Sequence, residues 1–127
     1  MATVTVYDQA QAFLTKDGSI VRELMHPVRH GNARQSLAEA TVPPGTRTVL
    51  HRHARSEELY YIVAGEGRMF LDHDTFAVTV GDSICIPPGT PTCDCRYRYR
   101  GAAPAVLLRA GLFGRRHRAA DMTYGRV

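Results

Sequence analysis

Short stretches rich in β-forming residues, separated by frequent turn signals, run along most of this chain. The turn signals are Pro43-Pro44-Gly45, Gly65-Glu66-Gly67, His73-Asp74, Gly81-Asp82 and Pro87-Pro88-Gly89. Patterns typical of long amphipathic helices are scarce. Short strands with turns at this frequency are typical of an all-β sandwich or barrel, in which alternate residues face the interior.

The predicted strands cover residues 3–7, 20–25, 36–42, 47–53, 58–64, 67–72, 75–80, 83–86, 92–100 and 105–113. One turn of helix is predicted within residues 9–14, and the segment around Gly65 is predicted to form a hairpin. No repeat or linker divides the chain, so we expect a single domain over residues 1–127, with a barrel core at about 36–112.

The composition favours a folded protein in the cytoplasm. Of the 127 residues, 44% are hydrophobic and 22% are charged, which is typical of a chain with a packed core. The apolar runs are far too short to span a membrane, so no membrane association is expected. The first residues lack a basic segment followed by an apolar one, which argues against a secretory signal.

The net charge of +4 comes almost entirely from arginine, and residues 96–118 are especially rich in it. Nucleic-acid binding was therefore considered, but the sequence has no zinc-finger, helix-turn-helix or RNA-binding signature. We interpret the arginines as a solvated basic surface, and nucleic acid is not an expected partner.

Three cysteines, Cys85, Cys93 and Cys95, lie within eleven residues. An odd number of closely spaced cysteines does not suggest the disulfide framework of a secreted protein. We expect reduced thiols, with Cys93 and Cys95 as small buried groups. A soft-metal site on Cys93-x-Cys95 is the alternative.

Two histidines separated by one residue, His51 and His53, precede the adjacent glutamates Glu57 and Glu58. Residues i and i+2 of a strand face the same side, so both imidazoles would lie together. If the chain turns after His53, Glu58 can join them. Two nitrogens and one carboxylate form the ligand set of a divalent metal with open positions. Glu57 is an alternative ligand if that turn is one residue shorter.

The spacing of these residues resembles the first motif of the cupin superfamily. In order, the matching positions are Gly45, His51, His53, Glu58 and Gly65. A second stretch, Gly81 followed by Pro87-x-Gly89, is similar to the start of the second cupin motif. The resemblance covers roughly residues 36–112 and is typical of small single-domain members.

This resemblance implies a jelly-roll β-barrel, also described as a double-stranded β-helix. It implies that His51, His53 and Glu58 hold a divalent metal inside the barrel. The metals of the family include iron, manganese, nickel, zinc and copper. Many members are homodimers, so a homodimer is expected here as well.

The second motif departs from the family pattern, because Thr92 stands where the family has a fourth, histidine ligand. The later asparagine of that motif corresponds to Arg96. Three outcomes follow: a three-ligand metal site with water or substrate at the open position, a site without metal, or a substitute ligand such as Cys93 or Asp94. We favour the three-ligand site.

Other residues are candidates for the substrate pocket. Tyr60 shares the face of Glu58 and could donate a proton, although a tyrosine of the barrel wall is the simpler interpretation. Gln35 precedes a strand and is a candidate for contact near the metal or with substrate, although a plain polar residue at the strand edge is the simpler interpretation. Thr92 would line the open position. Arg96 at the pocket mouth could bind an anionic substrate.

Two functions follow from the sequence. The first is an enzyme that uses the two-histidine, one-glutamate metal site on a small oxygen-bearing molecule, with dioxygenase, isomerase or cyclase, or lyase chemistry. The alternative is a barrel that binds or senses a small molecule without catalysis and with weak or no metal binding. A barrel alone does not decide between them, because one fold supports many functions.

Overall fold

A computed structural model describes residues 2–95, 104–112 and 122–124 of the chain. Its strands are β1 (Ala12–Leu14), β2 (Ile20–Met25), β3 (Gln35–Val42), β4 (His51–His53), β5 (Glu57–Ala64), β6 (Glu66–Leu71), β7 (Asp74–Thr79), β8 (Ser83–Ile86), β9 (Thr92–Cys95), β10 (Ala105–Leu112) and β11 (Met122–Tyr124). A 3-10 turn at Tyr7–Gln9 and a short helix, α1 (Pro27–His30), complete the described elements. No helix among the described residues is long and apolar enough to cross a membrane.

The strands form two antiparallel sheets. The first has the order β1-β2-β3-β10-β5-β8, and the second has the order β11-β4-β9-β6-β7. Strands that are distant in sequence pair as neighbours, as in a jelly roll. The all-β jelly-roll prediction is therefore confirmed.

The core lies between the two sheets, because side chains from both contribute to one buried cluster. Its residues are Val21, Ala40, Tyr60, Ile62, Met69, Val78, Ile84, Ile86 and Leu107. Burial of each large apolar side chain contributes about 1.5–3 kcal/mol, so this cluster is the main source of stability. The alternation along β5 and β10 that supplies much of it is the pattern from which the strands were predicted.

Most predicted strands are present, and β2, β3, β5, β6, β7 and β8 begin and end within one residue of the expected positions. The N-terminal prediction is wrong. Residues 3–7 form no strand, and Val4 and Val6 are exposed rather than buried on one face. The helical turn predicted within residues 9–14 is also wrong for the last three residues. These form β1 (Ala12–Leu14), which pairs with β2.

Two further predictions need correction. Residues 47–50 do not extend β4, since the Val49 N–H donates to the Asp17 carbonyl (2.9 Å) outside either sheet. The segment around Gly65 is not a hairpin, because β5 and β6 belong to different sheets. Gly65, at φ 74°, turns the chain from the first sheet to the second. The earlier turn at residues 54–56, between β4 and β5, places the two metal-motif strands on facing sheets.

The described cysteines differ in state. Cys85 is an exposed free thiol, as expected. Cys93 is buried, also as expected, but it is disulfide-bonded. The prediction of reduced thiols is therefore wrong for Cys93.

Candidate functional site

The two histidines of the sequence motif lie side by side in the barrel interior. His51 is 1% exposed and His53 is 8% exposed, whereas Arg52 between them faces solvent. The imidazole centroids are 5.6 Å apart and the rings meet edge to face at 87°. The alternation of a single short strand therefore delivers both rings to the same side, as predicted.

Hydrogen bonds at both ends of β4 position the histidines. The Gly89 N–H donates to the His53 carbonyl at 2.6 Å, which attaches the Pro87-Pro88-Gly89 turn to this strand. His51 Nδ1 lies 2.9 Å from the Val49 carbonyl and donates to it. A carbonyl partner at Nδ1 places the lone pair of His51 on Nε2, the tautomer suited to binding a metal.

Glu58 reaches the histidines from the facing sheet. The burial of β5 alternates, so Glu58 (8% exposed) faces the interior and Glu57 faces solvent. Its Oε1 lies 3.2 Å from His53 Nε2. This contact joins the two sheets across the barrel. The alternative in which Glu57 is the interior carboxylate is therefore wrong.

The contact between His53 and Glu58 has the spacing of two neighbouring metal ligands. Donors bound about 2.1 Å from one ion at right angles lie about 3.0 Å apart. The 3.2 Å approach is within ion-pair distance. Among the described residues, however, His53 Nε2 has no hydrogen bond of good geometry and the buried Glu58 Oε2 has no hydrogen-bond partner. Buried polar atoms without partners are costly, and a cation would satisfy both.

His51 does not converge with His53 and Glu58 to form a complete three-ligand metal site. Among the described residues, no group of three or more His, Cys, Asp or Glu side chains is arranged to hold a metal ion. The structure thus brings His53 and Glu58 together and places His51 beside His53, without three donors converging on one point. The chemistry of the donors fits a divalent metal, and their arrangement supplies two of the three contacts.

The electrostatic environment favours the protonation states that a metal requires. Burial lowers the pKa of His51 below its usual value, and the charge of Arg109 adds to this effect. Burial opposes ionisation of Glu58, but His53 and Arg109 outweigh it and hold the pKa of that carboxyl below its ordinary value. At neutral pH, His51 is therefore neutral and Glu58 is charged, as metal ligands must be.

Thr92 lies directly opposite His51, where β9 pairs with β4, and it is fully buried. Its hydroxyl donates to the Phe70 carbonyl at 3.1 Å. The hydroxyl proton is thus used within the second sheet. At the position where the cupin pattern has histidine, Thr92 therefore fills space in the interior and offers no strong metal ligand.

The remaining pocket candidates have different outcomes. Tyr60 faces the interior and is 1% exposed, in agreement with its predicted orientation. Gln35 is exposed and pairs with Leu112 at the start of β3, so it lies there as an edge polar residue, and its contact with a substrate stays a prediction. A shift of one residue reverses the face, and Ser36 is the more buried neighbour. Arg96 lies outside the described residues.

Arg109 is the residue of this site that the sequence interpretation missed. It lies on β10 opposite Tyr60, is 9% exposed, and its guanidinium carbon is 5.4 Å from the Tyr60 ring centroid. The prediction of a solvated basic surface over residues 96–118 is wrong for this position. The sequence does contain a pattern that indicates its burial. Ala105, Leu107 and Arg109 alternate along β10, so Arg109 faces the same interior as the other two.

Comparison with known proteins identifies the family. A model of the cupin domain matches residues 38–109, within the predicted core. The chain therefore belongs to the cupin family. It is 55% identical over 87 residues to the uncharacterized protein MJ1618 of Methanocaldococcus jannaschii, an alignment that covers 68% of this chain and 70% of that protein.

Two further proteins are similar. Polyketide synthase CurC of Streptomyces cyaneus is 34% identical over 85 residues, covering 67% of this chain but only 52% of CurC. This chain thus aligns with about half of CurC. Pac13 of Streptomyces, described as a nucleoside dehydratase and also solved with uridine, has a TM-score of 0.76 at 16% identity. That alignment covers 99% of this chain and 92% of Pac13 and supports the fold alone.

Proposed function

We propose that this cupin is an enzyme that acts on a small oxygen-bearing molecule at a divalent metal held by His51, His53 and Glu58. The observation that carries the proposal is the contact between His53 and Glu58. A buried nitrogen of one sheet and a buried carboxylate of the facing sheet lie 3.2 Å apart. Iron, manganese, nickel, zinc and copper all accept such ligands, so the metal is not specified further.

The bound metal would polarise a carbonyl or enolate oxygen of the substrate, or activate dioxygen if it is iron. Among the protein's own groups, Glu58 supplies the negative charge of the site. Tyr60, two residues along β5 on the same face, is the candidate proton donor. Thr92, which lacks a nitrogen ligand, leaves room at the fourth position for a substrate oxygen.

Among the possible reactions, lyase chemistry has more support than dioxygenase chemistry, because a dehydratase is a lyase. Pac13, which shares the fold, is named a dehydratase, and CurC, a sequence relative, is named a polyketide synthase. Both names refer to transformations of oxygen-rich organic molecules. Neither name identifies a substrate of this protein.

A non-catalytic binding barrel is the second candidate. It is favoured by the incomplete convergence of donors among the described residues and by Thr92 at the fourth-ligand position. In such a protein, ligand affinity would not depend on a metal. The two candidates therefore differ in a measurable way.

The test uses acetohydroxamate, a small ligand with two oxygen donors, titrated calorimetrically into metal-free protein and into protein loaded with Zn²⁺ or Mn²⁺. We expect at least about tenfold tighter binding to the loaded protein, because the probe can occupy the open positions. Equal affinity with and without metal would support the binding barrel and contradict the enzyme.

We also propose a homodimer that forms through the outer face of the first sheet. Several large apolar side chains are exposed there, and we call the group Leu37, Leu59, Tyr61, Val63 and Leu112 on β3, β5 and β10 the outer patch. The register aligns Leu37, Ala110, Leu59 and Cys85 in one row across four strands. A contiguous apolar face in the middle of a sheet is typical of an interaction surface.

Replacement of Leu59, 51% exposed at the centre of the outer patch, by Asp is expected to weaken the dimer about 10- to 100-fold. A charge would be buried without a partner if two copies met there. Sedimentation equilibrium of the parent and variant measures the change. Val80→Asp, an equally exposed site outside the patch, is the control. A monomeric parent, or equal effects of both changes, would contradict the proposal.

A cytoplasmic location also remains a proposal, and cell fractionation checks it.

A further inference from the structure

Arg109 is a buried cation inside the barrel, beside the candidate metal ligands. It belongs to β10, the strand that pairs with β5, and its cross-strand neighbours are Ala38 and Tyr60. Glu58 is diagonal to it, since Glu58 pairs with Gly111, two residues further along β10. Diagonal neighbours in a sheet are about 7–8 Å apart, within reach of a long side chain such as arginine.

Small residues surround this part of β10. The inward positions of β3 that face it are Ser36 and Ala38, and the next inward position on β10 itself is Gly111. A side chain at Gly111 would come within 2.7 Å of the Ser36 hydroxyl. The inward side chains of β3 and β10 next to Arg109 and Glu58 are therefore small and closely packed.

Without a metal, the buried acidic and arginine side chains of the described residues carry one net negative charge. Asp17 and Glu58 are the buried carboxylates and Arg109 is the buried arginine. Asp17 is engaged by the Ser19 N–H at 2.9 Å and the Ser19 hydroxyl at 2.6 Å, which fixes it in the turn between β1 and β2. A divalent metal would therefore leave an excess of positive charge in the barrel, which an anionic ligand would neutralise.

We propose that Arg109 binds an anionic oxygen group of the substrate, a carboxylate or an enolate, next to the metal held by His51, His53 and Glu58. Arginine binds planar oxygen anions through two parallel hydrogen bonds, and Tyr60 packs beside its guanidinium. This proposal deepens the proposed function and rests on it. It transfers to Arg109 the role that the sequence suggested for Arg96.

The test compares two probes of nearly equal shape, pyruvate and its neutral amide pyruvamide, by calorimetric titration of metal-loaded protein. The parent is expected to prefer pyruvate. Arg109→Gln is expected to weaken pyruvate binding about 10- to 100-fold, with little change for pyruvamide, because one charged partner is lost. Arg109→Lys keeps the charge but loses the planar guanidinium, so its affinity for pyruvate is expected to lie between those of the parent and Arg109→Gln.

Metal content, measured by elemental analysis of every variant, separates this proposal from the proposed function. Loss of pyruvate preference in Arg109→Gln at unchanged metal content supports the role of Arg109. If the parent binds no metal but still prefers pyruvate in an Arg109-dependent way, the metal site is wrong and the anion site stands. An equal affinity of the parent for both probes, or an equal loss for both in the folded Arg109→Lys variant, would overturn the proposal.

Discussion

Glu58→Gln is expected to weaken the binding of Zn²⁺ or Mn²⁺ by more than about 100-fold, since loss of a supporting residue outside the ligand set already costs 10- to 100-fold. Glutamine keeps the size of the side chain but removes the charge that faces His53 and would face a bound metal. Competition of metal-free protein with a coloured chelator measures the change in affinity.

Glu57 provides the matched control for this prediction. It is the preceding residue of β5 but faces solvent, so Glu57→Gln changes the net charge equally without touching the interior. We expect its metal affinity to equal that of the parent. Equal affinities of the Glu58→Gln variant and the parent would exclude Glu58 as a ligand.

Gly65→Ala is expected to lower the free energy of unfolding by about 2–5 kcal/mol, from a strained left-handed backbone and from steric overlap. Gly65 has φ 74°, and an added Cβ would lie 2.8 Å from the Ala105 Cα and 2.9 Å from the Pro104 carbonyl oxygen. Both contacts are with backbone, which cannot move without disturbing the start of β10. Urea unfolding measures the loss.

Gly45 separates the two causes, because it has a similar φ of 70° but nothing within 4 Å of an added Cβ. Gly45→Ala is expected to cost only about 1–2 kcal/mol, from the backbone conformation alone. Asparagine tolerates this conformation, so Gly65→Asn is expected to remain costly while Gly45→Asn is nearly neutral. Equal costs at both positions would contradict the close approach of Gly65 to β10.

The orientation of the site residues could be predicted from sequence because it depends on strand parity. The alternation in β4 and β5 places His51, His53 and Glu58 inside and Glu57 outside. Parity holds over any short uninterrupted strand, whatever its partners are. The spacing of these residues within the cupin pattern then indicated that both strands face one interior.

Other features depend on long-range pairing, which short patterns do not reveal. Residues 3–7 alternate like a strand, but β1 occupies the edge of β2 and the chain there stays unpaired with either sheet. Gln35 lies one residue from the inward position of Ser36, and its pairing with Leu112 places it at the end of the ladder with β10. Arg109 is different, because the alternation of β10 alone indicates that it faces the interior, whereas the abundance of arginine in residues 96–118 favours the surface.

The metal content of the protein purified without an affinity tag tests the central claim most directly. Elemental analysis of the parent is predicted to find about one equivalent of a divalent metal per chain, retained in Glu57→Ala and lost in His51→Ala and Glu58→Ala variants that remain folded. A folded parent that holds no metal, even after reconstitution with iron, manganese, nickel, zinc or copper, would contradict the account.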